Sequence, residues 1–134
     1  MSNGVIRLEE IERDIKAWAR ARGLRHLADV EIAVVYNPRS RSRAVARMWG
    51  LNRVFQLAYG MPPLYVLELL EAFFHMSCQG RARVLAHELA HVPSTASGAL
   101  RPHNKAFWRD YRRYAGMMTC DDFPSLRLIS PRGI

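Results

Sequence analysis

Apolar residues recur at a helical interval near the start of the chain. Over residues 8–22, Leu8, Ile11, Ile15, Trp18 and Ala19 stand three or four apart, with Glu9, Glu10, Glu12, Arg13 and Asp14 between them. This spacing predicts an amphipathic helix. Acidic residues crowd its first turns and Arg20 and Arg22 its last, as the helix dipole favours, and Gly23 supplies a C-terminal stop. The period then shortens. Residues 30–36 are rich in β-branched side chains and stop at Asn37-Pro38, which predicts a strand and a turn. The basic run at residues 39–43 reads as a solvated loop. Residues 44–51 and 64–70, the latter entered through Pro62-Pro63, read as two further strands.

Helical spacing returns with Val84, Leu85 and Leu89. Ser77 is placed to cap a helix over residues 78–92, and Pro93 ends it. A polar loop with Ser94, Thr95, Ser97 and Gly98 leads to a last helix over residues 103–114, ending at Gly116. Residues 117–134, with Pro124 and Pro131, read as irregular. No repeat interrupts the pattern. The expected organisation is one α+β domain over residues 1–116 with three strands, followed by a tail at 117–134.

Composition narrows the class. With 134 residues, 49% hydrophobic and 24% charged, the chain is long enough to bury a core without a disulfide framework or a structural metal. A metal here would therefore serve function. The most continuous apolar stretch, residues 64–74, is broken by Glu68 and Glu71 and falls short of the ~20 residues that cross a bilayer, which excludes a transmembrane helix. The opening residues lack a basic segment followed by an apolar one, and Cys78 and Cys120 read as unpaired thiols, Cys78 an inert buried one. A cytoplasmic protein is expected. The net charge of +8 rests on 18 arginines against two lysines. Arginine suits bidentate phosphate contacts, so Arg39, Arg41, Arg43 and Arg47 form a candidate patch for weak, unspecific nucleic-acid binding. The alternative is a solvated basic surface. Oligomeric state is not encoded in any of these features.

The chemistry concentrates in His87-Glu88-Leu89-Ala90-His91, an HExxH pattern within the predicted helix. Residues four apart share a helix face, so both imidazoles can point at one ion. Glu88 can hold water at that ion and take its proton. Catalytic zinc uses three protein ligands and keeps one position open. His103 is the candidate third ligand, returned by a loop that turns at Gly98; Glu68 or Glu71 is the carboxylate alternative. An oxyanion donor is also needed, and Arg101, Tyr111 and Tyr114 are the candidates. Phe107 and Trp108 are expected to pack the last helix onto the active-site helix. His26 and His75 have no ligand-like neighbours.

The stretch from His87 through Ala90-His91 to Pro102-His103 and Phe107-Trp108 resembles the small zincin-like metallopeptidases. The likeness is to the SprT-like and YgjP-like groups and above all to predicted metallopeptidases of archaeal and phage genomes. With the last group it extends upstream through residues 46–51 and 64–69 and spans residues 32–114. The resemblance implies a minimal zincin-like fold, with a helix backing a small mixed three-stranded sheet above the active-site helix, zinc as cofactor, His87, His91 and His103 as its ligands and Glu88 as general base. Peptide or unfolded protein is then the substrate, with the strand at 44–51 holding it in extended form. Two other functions compete with this one: a DNA-tethered SprT-like protease, and a zinc-binding interaction module with little turnover.

Overall fold

The sheet has one strand more than the pattern predicts. The computed structural model describes residues 4–129. Its strands are β1 (Ile6–Arg7), β2 (Glu31–Tyr36), β3 (Ala46–Gly50) and β4 (Leu64–Leu69), in the order β1-β2-β4-β3. The β2–β4 pair is parallel and the two outer pairs are antiparallel. The sheet is thus mixed, as expected, but four-stranded. β1 adds only the pairs Ile6–Tyr36 and Arg7–Val35, and two residues are too few to show a period of two.

Six helices accompany the sheet among the described residues: α1 (Glu9–Ala21), α2 (Arg25–Asp29), α3 (Arg53–Tyr59), α4 (Cys78–Leu89), α5 (Lys105–Met117) and α6 (Pro124–Leu128). Alternation decides which sheet face they cover. Ile32, Val34 and Tyr36 of β2, Met48 of β3, and Tyr65, Leu67 and Leu69 of β4 are all buried on one side. They join Ile11 and Ile15 of α1 and Leu85 and Leu89 of α4 in a single core. Burying each such aliphatic or aromatic side chain contributes about 1.5–3 kcal/mol, so α4, which carries His87 and Glu88, is seated by the same packing that holds the sheet.

The segment after α5 is ordered, which corrects the expectation of an irregular tail. A 3-10 turn at Cys120–Asp122 and α6 bring Phe123 and Leu126 into the core, each fully buried. Trp18 meets Tyr114 edge-on at 5.7 Å and Phe123 at 6.3 Å, tying α1 to both α5 and this segment. The reading of two unpaired thiols is also corrected. Cys78, the first residue of α4, forms a disulfide with Cys120, their Cα atoms 5.6 Å apart. Buried Arg81 completes the attachment. Its guanidinium donates to the carbonyls of Phe73 and Phe74, at the end of the 3-10 turn Glu71–His75, and to those of Leu126 and Ile129, around the end of α6. No helix among the described residues is long and apolar enough to cross a membrane.

Candidate metal centre

The three histidines of the sequence pattern converge. Ser77 caps α4, its side chain accepting from the Gly80 amide; the helix presents His87 and ends at Leu89, short of the expected residue 92, and His91 follows in the turn, its amide donating to Glu88 O. Helix α4 gives way to a turn after Leu89, and the connection to α5 is held at three points. Tyr65 Oη accepts from the Gly98 amide and donates to Ala99 O, both at 2.8 Å. Gln56 Nε2 donates to Leu51 O and Ser97 O. The Arg101 amide donates to His91 O at 2.9 Å. This loop delivers His103 just before α5, where Asn104 caps the helix by accepting from the Phe107 amide.

The ligand nitrogens of His87, His91 and His103 lie within 4.8 Å of one another. His87 Nε2 and His103 Nε2 are 3.3 Å apart. A tetrahedral ion bound at about 2.0–2.1 Å holds its ligand nitrogens roughly 3.3 Å apart, so this pair has the required separation. The tautomer of His91 also fits. Its Nδ1 lies 2.8 Å from Arg101 O, and a carbonyl only accepts, so Nδ1 carries the proton and Nε2 keeps its lone pair for the ion. Burial, and then the neighbouring imidazoles, hold the pKa of His87 below its ordinary value. Burial does the same for His91, only partly opposed by its hydrogen bond to Arg101. Both shifts favour the neutral ring, the form that binds a metal. Phe107 forms the floor of the cluster, its ring 5.0, 4.5 and 4.6 Å from those of His87, His91 and His103.

Glu88 points into an open cleft of about 310 Å³ lined also by Ala46, Arg47, Met48, Trp49, His91 and Leu100. Its carboxylate lies 3.9 Å from His87 Nε2. The residue is 8% exposed. Burial pushes its pKa up to about 7, against the pull of a hydrogen bond from the Met48 amide. That bond reveals which way β3 faces. The Leu51 amide bonds to Leu64 O and the Leu70 amide to Val45 O. Antiparallel pairing alternates, so odd-numbered residues of β3 bond to β4, and the amides and carbonyls of Ala46, Met48 and Gly50 face the free edge beside the cleft.

Residues 4–124 match the family model described as putative phage metallopeptidase. The chain belongs to this phage metallopeptidase family. No curated protein and no solved structure matches it. In this member of the phage metallopeptidase family, the three predicted oxyanion donors have different surroundings. Tyr111 lies beside the cluster, its ring 5.7 Å from that of His87. Arg101 donates to Ala90 O and pairs with Asp110, both side chains nearly buried. Tyr114 is fully buried, its hydroxyl 3.2 Å from His26 Nε2.

The carboxylate alternatives stand apart from the histidines. Glu68 accepts from Asn37 Nδ2 and Trp49 Nε1, and Glu71 pairs with His75 and Tyr36. Arg39, Arg41, Arg43 and Arg47 are all exposed, and Arg47 donates to Ser42 Oγ. Sequence reasoning missed the Asn104 cap, the role of Phe107 as floor and the Met48 amide. Only Asn104, three residues before Phe107 at the head of an amphipathic run, left a readable signal.

Proposed function

We propose that this chain is a zinc-dependent peptidase in which His87, His91 and His103 hold the metal and Glu88 is the general base. The observation that carries the reading is the buried carboxylate of Glu88, set between the histidine cluster and the free edge of β3. When bound, zinc would supply Lewis acidity, polarising the scissile carbonyl and making water a nucleophile near neutral pH. Glu88 accepts a proton from water and returns it to the departing amine, work suited to a carboxylate held in the cleft beside the histidine cluster. The outward backbone groups of Ala46 and Gly50, with the carbonyl of Met48, whose amide is held by Glu88, hydrogen-bond an extended peptide, adding it to the sheet as a further strand. Tyr111, beside His87, donates to the developing oxyanion.

The reading is tested by chelation. Hydrolysis of an unfolded, fluorescence-quenched protein should cease when zinc is stripped and return when zinc is restored. Hydrolysis that persists in the chelated protein would refute it.

A further inference from the structure

Charge is unevenly distributed around the cleft. Between Glu31 and Glu68 the chain carries Arg39, Arg41, Arg43, Arg47 and Arg53 and no acid. Between Glu88 and Asp121 it carries Arg101, Lys105, Arg109, Arg112 and Arg113 against one acid, Asp110. Asp110 is buried and paired with Arg101, so the charges that α5 shows to solvent are all positive. Half of the chain's acids, Glu9, Glu10, Glu12, Asp14, Asp29 and Glu31, fall instead on α1 and around the start of β2.

On α5 the positive charge has a definite place. Lys105, Trp108 and Arg112, at i, i+3 and i+7, share one helix face and line a groove together with His103 and Asn104. The groove therefore begins at the third histidine of the cluster. Trp108 is 40% exposed and stacks on the His103 ring at 5.6 Å. Lys105 and Arg112 stand seven residues apart, about 10 Å along the helix axis, the reach of about three residues of extended peptide.

We propose that this groove is a substrate subsite for acidic side chains, so that the protein prefers polypeptides with two carboxylates within three or four residues on one side of the scissile bond. The inference rests on the peptidase reading and adds the substrate's chemistry to it. Continuity decides the occupant. A chain lying along β3 and crossing the histidine cluster enters this groove next, and its carboxylates meet Lys105 and Arg112 while its apolar atoms meet the face of Trp108. Exposed cations of this kind act through encounter and register, and salt weakens them.

The experiment uses the zinc-loaded Glu88→Gln protein, in which turnover should be slowed by about 10² or more, and fluorescein-labelled peptides of one length. They carry a pair of Glu, Gln or Lys on either side of the central bond; an oligothymidylate of matching charge is included. The Glu peptide with its pair on the groove side should bind at least tenfold tighter than the Gln peptide at low salt, and the advantage should shrink as salt rises. K105Q/R112Q should abolish the preference and K105E/R112E reverse it. Glutamate at the first position of a helix is favourable, so the reversal should not unfold α5. R13E/R20E on α1, an equal charge change, should leave the preference intact.

Equal binding of Glu and Gln peptides, or equal loss in the α1 and α5 variants, overturns the proposal. So does tighter binding of oligothymidylate that depends on Lys105 and Arg112, which would make the groove a nucleic-acid site. Cleavage by the parent protein separates this inference from the reading beneath it. A Glu peptide bound with the expected preference but left uncut sinks the peptidase and keeps the groove. Cleavage of all peptides with equal kcat/KM does the reverse.

Discussion

Arg101 holds His91 from two directions. Its carbonyl oxygen lies 2.8 Å from His91 Nδ1, and its guanidinium reaches both Ala90 O and the carboxylate of Asp110. The orientation of one imidazole is thereby tied, through the loop, to an ion pair on the inner face of α5.

Asp110→Asn should therefore be felt in both stability and metal binding. It leaves the Arg101 guanidinium nearly buried without a counter-charge, at an expected cost of about 3 kcal/mol. Zinc affinity should fall by about tenfold or more, the scale seen when a group that orients a ligand is disturbed. Chemical denaturation and competitive zinc titration measure the two. Unchanged zinc affinity would disconnect the pair from the site.

The same carboxylate predicts a sensitivity to acid. Burial pushes the pKa of Asp110 up, but the hydrogen bonds and charges of Arg101 and Arg109 outweigh it and hold the group below its ordinary value. A depressed folded-state value stabilises the fold fully above the unfolded value of about 3.9 and ceases to do so as pH falls through the folded one. Denaturation midpoints of the parent should consequently drop more steeply below about pH 4 than those of Asp110→Asn. Parallel curves would refute the assignment.

Zinc content should separate the three clustered histidines from the others. The parent should purify with one zinc per chain, and alanine at His87, His91 or His103 should remove most of it, whereas His26→Ala should retain it. Because His26 sits against Tyr114, its loss should appear in thermal stability instead. Full metal content in His87→Ala or His91→Ala would contradict the ligand set.

Glu88→Gln should divide metal binding from turnover. The amide keeps the size of the carboxylate but cannot take a proton, so zinc content should stay near normal while hydrolysis falls by about 10² or more. Metal analysis and initial rates on the same preparation test this. Hydrolysis at the parent rate would remove Glu88 from the mechanism.

Arg81→Ala should destabilise the fold more than any surface arginine. The guanidinium satisfies four carbonyls from two separate segments, and each buried acceptor left without a donor costs about 1–3 kcal/mol. A total loss of about 3 kcal/mol or more is expected in urea titration, with proteolysis beginning after Met117. A change as small as that of Arg83→Ala would mean that water replaces the side chain at no cost.

Much of this arrangement is legible in the amino-acid sequence. The three-four spacing of Ile11, Ile15 and Trp18 marks α1, and the alternation of Ile32, Val34 and Tyr36 marks β2, because each element buries one face. The HExxH pattern carries most of its own geometry, since four-residue spacing puts His87 beside His91 even though α4 ends at Leu89 and His91 lies in the turn that follows. Other parts had no periodic signal. Helix α3 turns Val54, Leu57 and Tyr59 to solvent and buries only Gln56, so its apolar residues mark no core face. Beyond α5, the core residues Met118, Phe123 and Leu126 are unevenly spaced around Pro124. The Cys78–Cys120 pairing spans 42 residues, and neither cysteine's neighbours point to the other.

Gly50 and Gly98 meet backbone to backbone at the end of β3. A Cβ on Gly50 would stand 2.0 Å from Gly98 O; one on Gly98 would stand 2.3 Å from both Leu51 O and Gln56 Nε2, at a φ of +98°. Most contacts in a protein can drift over generations, as a larger residue on one side is balanced by a smaller one on the other. No such exchange is open here, because neither partner has a side chain to give up. In a library sampling every substitution, both positions should tolerate glycine alone, and the course of the loop toward His103 should be inherited unchanged while the surrounding surface diverges.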